Sequence, residues 1–122
     1  MKRFFLLKTP APALWGSIFA FRVMETLRNN VPAGWVVTYG ELGRMAGYAN
    51  AARAVGGVLR NNPYCVDYPC HRVVGANGAL TGFMGKSQAV DLKRQWLERE
   101  GIRFTATGSV RKEYFLRMEE SL

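Results

Sequence analysis

The chain has 122 residues and a mass of 13.7 kDa, with 48% hydrophobic and 21% charged residues, an ordinary mixture for one compact domain that excludes extensive disorder. Lys and Arg number 17 against 9 Asp and Glu, a net charge of +8 whose positive field most commonly meets nucleic acid, with an anionic membrane surface as the alternative. The longest apolar run near the start, residues 4–7, is too short for a signal-peptide core, and no stretch approaches the roughly 20 residues of a membrane span. With 2 cysteines, Cys65 and Cys70, a disulfide scaffold is excluded and the chain reads as cytosolic with reduced thiols.

Residues 1–16 hold Pro10, Pro12 and two basic clusters and read as a basic lead-in; residues 17–122 read as the folded domain. From Ser17 the apolar residues Phe19, Val23 and Leu27 recur at helical spacing, until Asn29, Asn30, Pro32 and Gly34 stop the helix. Val36 and Val37 form a short extended link. Thr38 and Glu41 stand at capping-box spacing, Leu42, Met45 and Ala46 give an apolar face, and Gly47 is placed to end this helix in the left-handed conformation. Asn50 is expected to cap a second helix over residues 51–60, which makes a helix-turn-helix. Gly56 and Gly57 lie inside that second helix, at a cost of about 1 kcal/mol each, for which close backbone packing is the expected compensation. Val73 and Val74 read as a strand entering a type I′ turn at Asn77-Gly78. Ser87 is expected to open a third long helix carrying Leu92 and Trp96, closed by Gly101; residues 102–106 and 110–115 are expected to pair as a hairpin. The fold class is therefore mainly α with short β hairpins.

Chemistry concentrates in Pro69-Cys70-His71-Arg72-Val73. A cysteine attacks carbon as thiolate, and a neighbouring base raises the small ionised fraction present at neutral pH. His71 is the only histidine, though adjacency in sequence does not establish contact, and a buried structural cysteine beside a capping histidine is the competing reading. Cys65, Cys70 and His71 offer three soft ligands where structural zinc wants four, so no metal site is expected.

The pentapeptide changes meaning in company. Upstream stand Thr38-Tyr39-Gly40-Glu41-Leu42, Ala51-Ala52-Arg53-Ala54-Val55-Gly56-Gly57 and Asn62-Pro63; downstream stand Leu80-Thr81-Gly82-Phe83 and Trp96-Leu97-Glu98-Arg99-Glu100-Gly101. In that order the chain resembles, from about residue 19 to 104, the DNA-binding, active-site domain of the O6-alkylguanine-DNA alkyltransferases. The resemblance implies a winged-helix-like fold and a direct transfer without cofactor. Cys70 matches the alkyl acceptor, His71 the base that acts through a water, Glu100 the carboxylate that orients His71, and Asn62 the brace of the turn carrying the cysteine. Arg53 matches the finger that fills the gap left by the flipped base, and Tyr39 the residue that rotates the 3′ phosphate and bonds the guanine. The small residues Ala51, Ala52, Gly56 and Gly57 would let their helix lie close in the minor groove, with Arg60 on the same helix counted among the DNA contacts. Tyr39, Cys65, Val73, Phe83 and Met84 are expected around the substrate pocket. On the residues alone, Arg53 also suits a phosphate contact, Tyr39 and Phe83 suit the core, and Cys65 suits a buried filler.

The chain departs from the family pattern at Cys65, which matches a pocket-wall position often held by another residue type, and in three further places. The family's usual N-terminal domain is expected to be absent, the stretch from Gly85 to Trp96 is longer than in compact members, and Met84 stands where a small hydroxyl residue often sits. The expected function is a DNA repair protein, monomeric and cytoplasmic (nuclear in a eukaryote). It would flip O6-methylguanine from double-stranded DNA and take the alkyl group once, on Cys70, with no membrane partner. Two rivals differ in class: an alkyltransferase-like damage sensor, whose members replace the acceptor cysteine, and a winged-helix regulator with no use for a Cys–His–Glu set.

Overall fold

A computed structural model describes residues 15–62, 67–81 and 89–117. Four α-helices stand among them: α1 (Ile18–Asn30), α2 (Tyr39–Met45), α3 (Ala52–Arg60) and α4 (Val90–Arg99). Two short strands, β1 (Val37–Thr38) and β2 (Val73–Val74), pair in parallel with Val37 opposite Val73 and Thr38 opposite Val74. A parallel pair needs a long crossover, and α2, α3 and the turn carrying Cys70 supply it. The architecture is the mainly helical, winged-helix-like one expected, with α2 and α3 as the helix-turn-helix.

Helix starts follow local chemistry. The Ser17 hydroxyl accepts the Ala20 N–H at 3.0 Å and opens α1; the Thr38 hydroxyl accepts the Glu41 N–H at 3.0 Å and opens α2. These bonds satisfy amide donors that have no partner within the helix. Gly47 follows α2 with φ +101°, the left-handed stop expected. Asn50 does not cap α3. It takes φ 54° and serves as a left-handed turn residue, while Ala51 occupies the cap position without a side-chain bond. The turn is tight because Gly43 of α2 touches its neighbours: a Cβ there would stand 3.2 Å from both the Tyr48 carbonyl oxygen and Val55 Cγ2.

Alternation along the strands divides the core. Val37 and Val73 join Val23, Met24, Leu27, Leu42 and Val55 in one cluster; Val36 and Val74 join Leu97, Ile102 and Val110 in another. Trp15, at the edge of the lead-in, packs its ring edge-on against Tyr68 at 5.0 Å. Helix α4 is described from Val90, so Ser87 lies outside the described residues.

The β elements differ from expectation in three ways. Val73–Val74 pairs with β1 rather than within a hairpin. Asn77 is not at positive φ, so the turn is not type I′: the Gly78 N–H closes on the Gly75 carbonyl at 2.9 Å, and Gly78 alone is left-handed, at φ +82°. The C-terminal hairpin is a single antiparallel bridge, Phe104 to Val110, and Lys112–Tyr114 is a 3-10 turn because the chain leaves the hairpin to run beside Val36. The glycines of α3 also differ. A Cβ at Gly57 would meet nothing within 4 Å, and one at Gly56 would only reach the Tyr39 ring at 4.0 Å. They leave an open helix face instead of a close internal contact. Among the described residues no helix is long and apolar enough to cross a membrane.

The two kinds of glycine separate in a stability measurement. Gly78→Ala should destabilise by about 2 kcal/mol, since positive φ and displacement of neighbouring backbone both cost energy; the added Cβ would stand 2.6 Å from the Val110 carbonyl oxygen. Gly57→Ala should stabilise by up to about 1 kcal/mol. Urea unfolding of the three proteins checks the order, and equal effects at both positions would refute it.

Candidate active site

Pro69 sets the backbone geometry at Cys70. Its φ of −74° and ψ of 74° make an inverse γ-turn, in which the Cys70 N–H reaches the Tyr68 carbonyl at 2.7 Å. The 3-10 turn Cys70–Arg72 follows and hands the chain directly to β2. Asn62, buried at the end of α3, donates its Nδ2 hydrogen to that same Tyr68 carbonyl at 3.0 Å. Asn62 therefore braces the turn that carries the cysteine. Tyr68 is anchored at its other end, where its hydroxyl donates to Glu25 at 2.8 Å and accepts from Arg28 at 3.2 Å.

Cys70 and His71 are each 5% exposed. His71 Nε2 lies 2.7 Å from Glu100 Oε2, and the Trp96 ring packs edge-on against the imidazole at 5.1 Å. An ionised carboxylate only accepts hydrogen bonds, so Nε2 carries the proton and Nδ1 is the basic nitrogen of the neutral ring. Glu100 also accepts from Arg72 through Nε at 3.1 and 3.2 Å and Nη2 at 2.9 Å, and from the Gly34 N–H at 3.3 Å. Burial alone would raise the Glu100 carboxyl, but the His71 and Arg72 hydrogen bonds and their charges hold it at about 2. The result is a histidine, in the same 3-10 turn as Cys70, hydrogen-bonded to an ionised carboxylate.

Lys93 completes the surroundings, and sequence reasoning missed it. It is 1% exposed on α4, and its Nζ donates to the Val73 carbonyl at 2.6 Å. Burial pulls it down to about 8, while the nearby Cys70 thiol acts in the opposite direction. A lysine one residue from Leu92 on an amphipathic helix reads as solvated, so no local signal marks it. The Lys93 ammonium stands 6.0 Å from the centre of the Tyr39 ring. The Tyr39 hydroxyl shares a hydrogen bond of 2.5 Å with Thr81 Oγ1; burial pushes this phenol above its ordinary value, and the Thr81 bond opposes the shift.

The remaining expected residues fall in distinct places. Arg53 and Ala52 are exposed at the start of α3, Ala51 is half-buried, and Arg60 is exposed at the helix end, where its charge acts on Tyr39. The Val73 side chain is wholly in the core, so Val73 offers the site its backbone. Cys65, Phe83 and Met84 lie outside the described residues.

Lys93 gives the fold a signature at high pH. Between about pH 8, its value in the fold, and its ordinary 10.5, the unfolded chain binds more protons than the folded one. Stability therefore rises with pH through that window. Lys93→Met, compared by thermal unfolding across the same range, should lose this rise; parallel curves for the two proteins would show that Lys93 is not held at low proton affinity.

Comparison with known proteins places this geometry. Residues 18–102 match the family model of the 6-O-methylguanine DNA methyltransferase DNA-binding domain. The chain is 40% identical over 94 residues to a methylated-DNA–protein-cysteine methyltransferase of Shigella flexneri, covering 77% of this chain and 52% of the relative. It is 41% identical over 99 residues to the Cricetulus griseus protein of the same name, covering 76% and 46%. The chain thus spans about half the length of these relatives. Among solved structures, Mycobacterium tuberculosis OGT in complex with DNA aligns with a TM-score of 0.62 and 37% identity, over 82% of this chain and 55% of that one. S. pombe Atl1, in complex with damaged DNA containing O6-carboxymethylguanine, aligns with a TM-score of 0.68 and 27% identity, over 82% and 95%. The chain belongs to the 6-O-methylguanine DNA methyltransferase family, through the DNA-binding domain of that family.

Proposed function

We propose that this domain repairs alkylated DNA by taking the alkyl group of O6-methylguanine onto Cys70, once per molecule. The observation that carries the reading is the hydrogen bond of 2.7 Å between Glu100 Oε2 and Nε2 of His71, which lies in the same 3-10 turn as Cys70. His71 takes the thiol proton through a bridging water, and Glu100 stabilises the imidazolium so formed. The thiolate attacks the alkyl carbon: an S–C bond forms, the C–O6 bond breaks, and its electron pair stays on the guanine oxygen. The proton taken from the thiol returns to the departing guanine. A thioether has no ready leaving path, so the reaction is stoichiometric.

Chemistry on a stacked base requires its extrusion from the duplex. Helix α3 suits this role, with Arg53 exposed near its start and an open face at Gly57 that admits close approach to a backbone. Arg53 fills the space of the flipped base, Ala51, Ala52 and Gly56 line the approach, and Arg60 adds charge at the far end of the helix. Tyr39, whose hydroxyl shares a hydrogen bond with Thr81, contacts the nucleotide in this reading. Phe83, Met84 and Cys65 belong to the pocket wall in this reading. The protein acts as a monomer on double-stranded DNA, without metal or cofactor, in the cytoplasm or, in a eukaryote, the nucleus.

One observation favours a second reading, a damage sensor that binds without transfer. The chain matches 95% of the length of S. pombe Atl1. Cys70 stands against it, since a sensor has no need of an acceptor thiol on a braced turn beside a histidine and a carboxylate.

Mass spectrometry separates the two. Incubation with duplex DNA containing O6-methylguanine should add one methyl group, about 14 Da, at Cys70, as a single thiolate nucleophile requires. Cys70→Ser should lose transfer while retaining DNA affinity. Binding without any adduct would favour the sensor, and an adduct on Cys65 would overturn the assignment. Arg53→Ala should slow repair of the duplex far more than reaction with free O6-methylguanine, because only the duplex imposes an unstacking cost of a few kcal/mol. Equal losses on both substrates would mean that Arg53 supports the fold.

A further inference from the structure

We propose that Arg72 is a positioning residue for the transfer, fixing the Glu100 carboxylate against His71. The proposal rests on the reading of Cys70, His71 and Glu100 given above and adds a residue to it. Arg72 follows His71 directly, in the 3-10 turn that begins at Cys70. Both side chains converge on one oxygen: His71 Nε2 is 2.7 Å and Arg72 Nη2 is 2.9 Å from Glu100 Oε2. The Arg72 Nε hydrogen is shared between the two carboxylate oxygens at 3.1 and 3.2 Å. Its remaining arm, Nη1, donates to the Val31 carbonyl at 2.8 Å, at the C-terminal end of α1. One planar group thereby ties together the end of α1, the nucleophile turn and the end of α4.

The fork geometry matters. A guanidinium presents its donors in a rigid plane that matches a carboxylate, whereas an ammonium is a point charge on a flexible stem. Glu100 stands immediately after α4, and its backbone closes the last turn of that helix. Among the described residues, only the Gly34 N–H, at 3.3 Å, joins His71 and Arg72 on the carboxylate. Without Arg72 the carboxylate would turn about its terminal bond and meet His71 with either oxygen or neither. The hydrogen bond that keeps the proton on His71 Nε2, and so leaves Nδ1 basic, would be intermittent. The Arg72 and Glu100 side chains are only 17% and 15% exposed, so water competes weakly for these bonds.

A double-mutant cycle tests this on single-turnover transfer from O6-methylguanine duplex DNA. Arg72→Met should slow transfer by about tenfold or more, with DNA affinity unchanged, since misplacing a catalytic group costs rate rather than binding. In a Glu100→Gln background the same change should cost less than about threefold, because residues acting as a unit are not additive. Full multiplication of the two losses would overturn the proposal. A second readout does not depend on activity. Nitrogen-15 spectra of the only histidine in the chain should show one neutral tautomer, protonated at Nε2, in the wild type and a mixture in Arg72→Met. An unchanged tautomer with only a lowered melting temperature would make Arg72 a structural staple and overturn its positioning role. If Arg72→Met does not fold, Arg72→Lys keeps the charge, loses the fork and carries the same two expectations. Wild-type protein that transfers nothing would overturn the functional reading, while the tautomer measurement would still judge Arg72.

Discussion

The hydrogen bond between His71 and Glu100 is the constraint on which the rest of the site depends. It joins residues 29 positions apart, from a 3-10 turn on one side and the end of α4 on the other. The fold exists, in functional terms, to bring those two ends together. The parallel pairing of β1 and β2 fixes the turn, the packing of Leu97 and Trp96 fixes α4, and Asn62 fixes the approach to Cys70. Each removes a freedom that would loosen the carboxylate, the imidazole or the thiol, and position is the larger part of what a protein contributes to such a reaction.

The electrostatics follow from the same arrangement. Cys70 lies near the Lys93 ammonium, which favours its anion and is held inside the core by the Val73 carbonyl. Glu100 stays ionised because it accepts from both His71 and Arg72. The half-buried carboxylate is thereby paired with charged and hydrogen-bonding partners, which is the arrangement burial requires. The outward face is built differently. Helix α3 carries exposed Arg53 and Arg60 and the unfilled contour at Gly57, and suits a large polyanion rather than a small molecule.

Much of the fold was legible because its signals are local. Thr38 with Glu41, Gly47 after Ala46, and the apolar spacing of Val23 and Leu27 each specify structure within one or two turns of chain. What the sequence did not reveal depends on distant partners. The Val73–Val74 strand reads as one arm of a hairpin because a nearby Asn-Gly pair suggests a turn, yet its partner is Val37–Thr38 across the helix-turn-helix. Gly78 is needed for the Val110 backbone that crosses it, which no pattern around Gly78 announces. Lys93 was illegible because a lysine in a helix is almost always solvated; only the Val73 carbonyl, 20 residues away, explains its burial. The candidate site residues, with the Glu100–His71 and Asn62 contacts, were legible through an ordered set of motifs, whereas the hold of Arg72 on Glu100 was not.

The central claim is that His71 and Glu100 act on Cys70 as one proton-handling unit, and the single-turnover rate of Glu100→Gln tests it most directly. Mixed with excess duplex DNA containing one O6-methylguanine, this variant should methylate Cys70 about 100-fold or more slowly than the wild type, the usual scale of general acid–base assistance. Its affinity for the same DNA should be unchanged. A wild-type rate in Glu100→Gln would contradict the account.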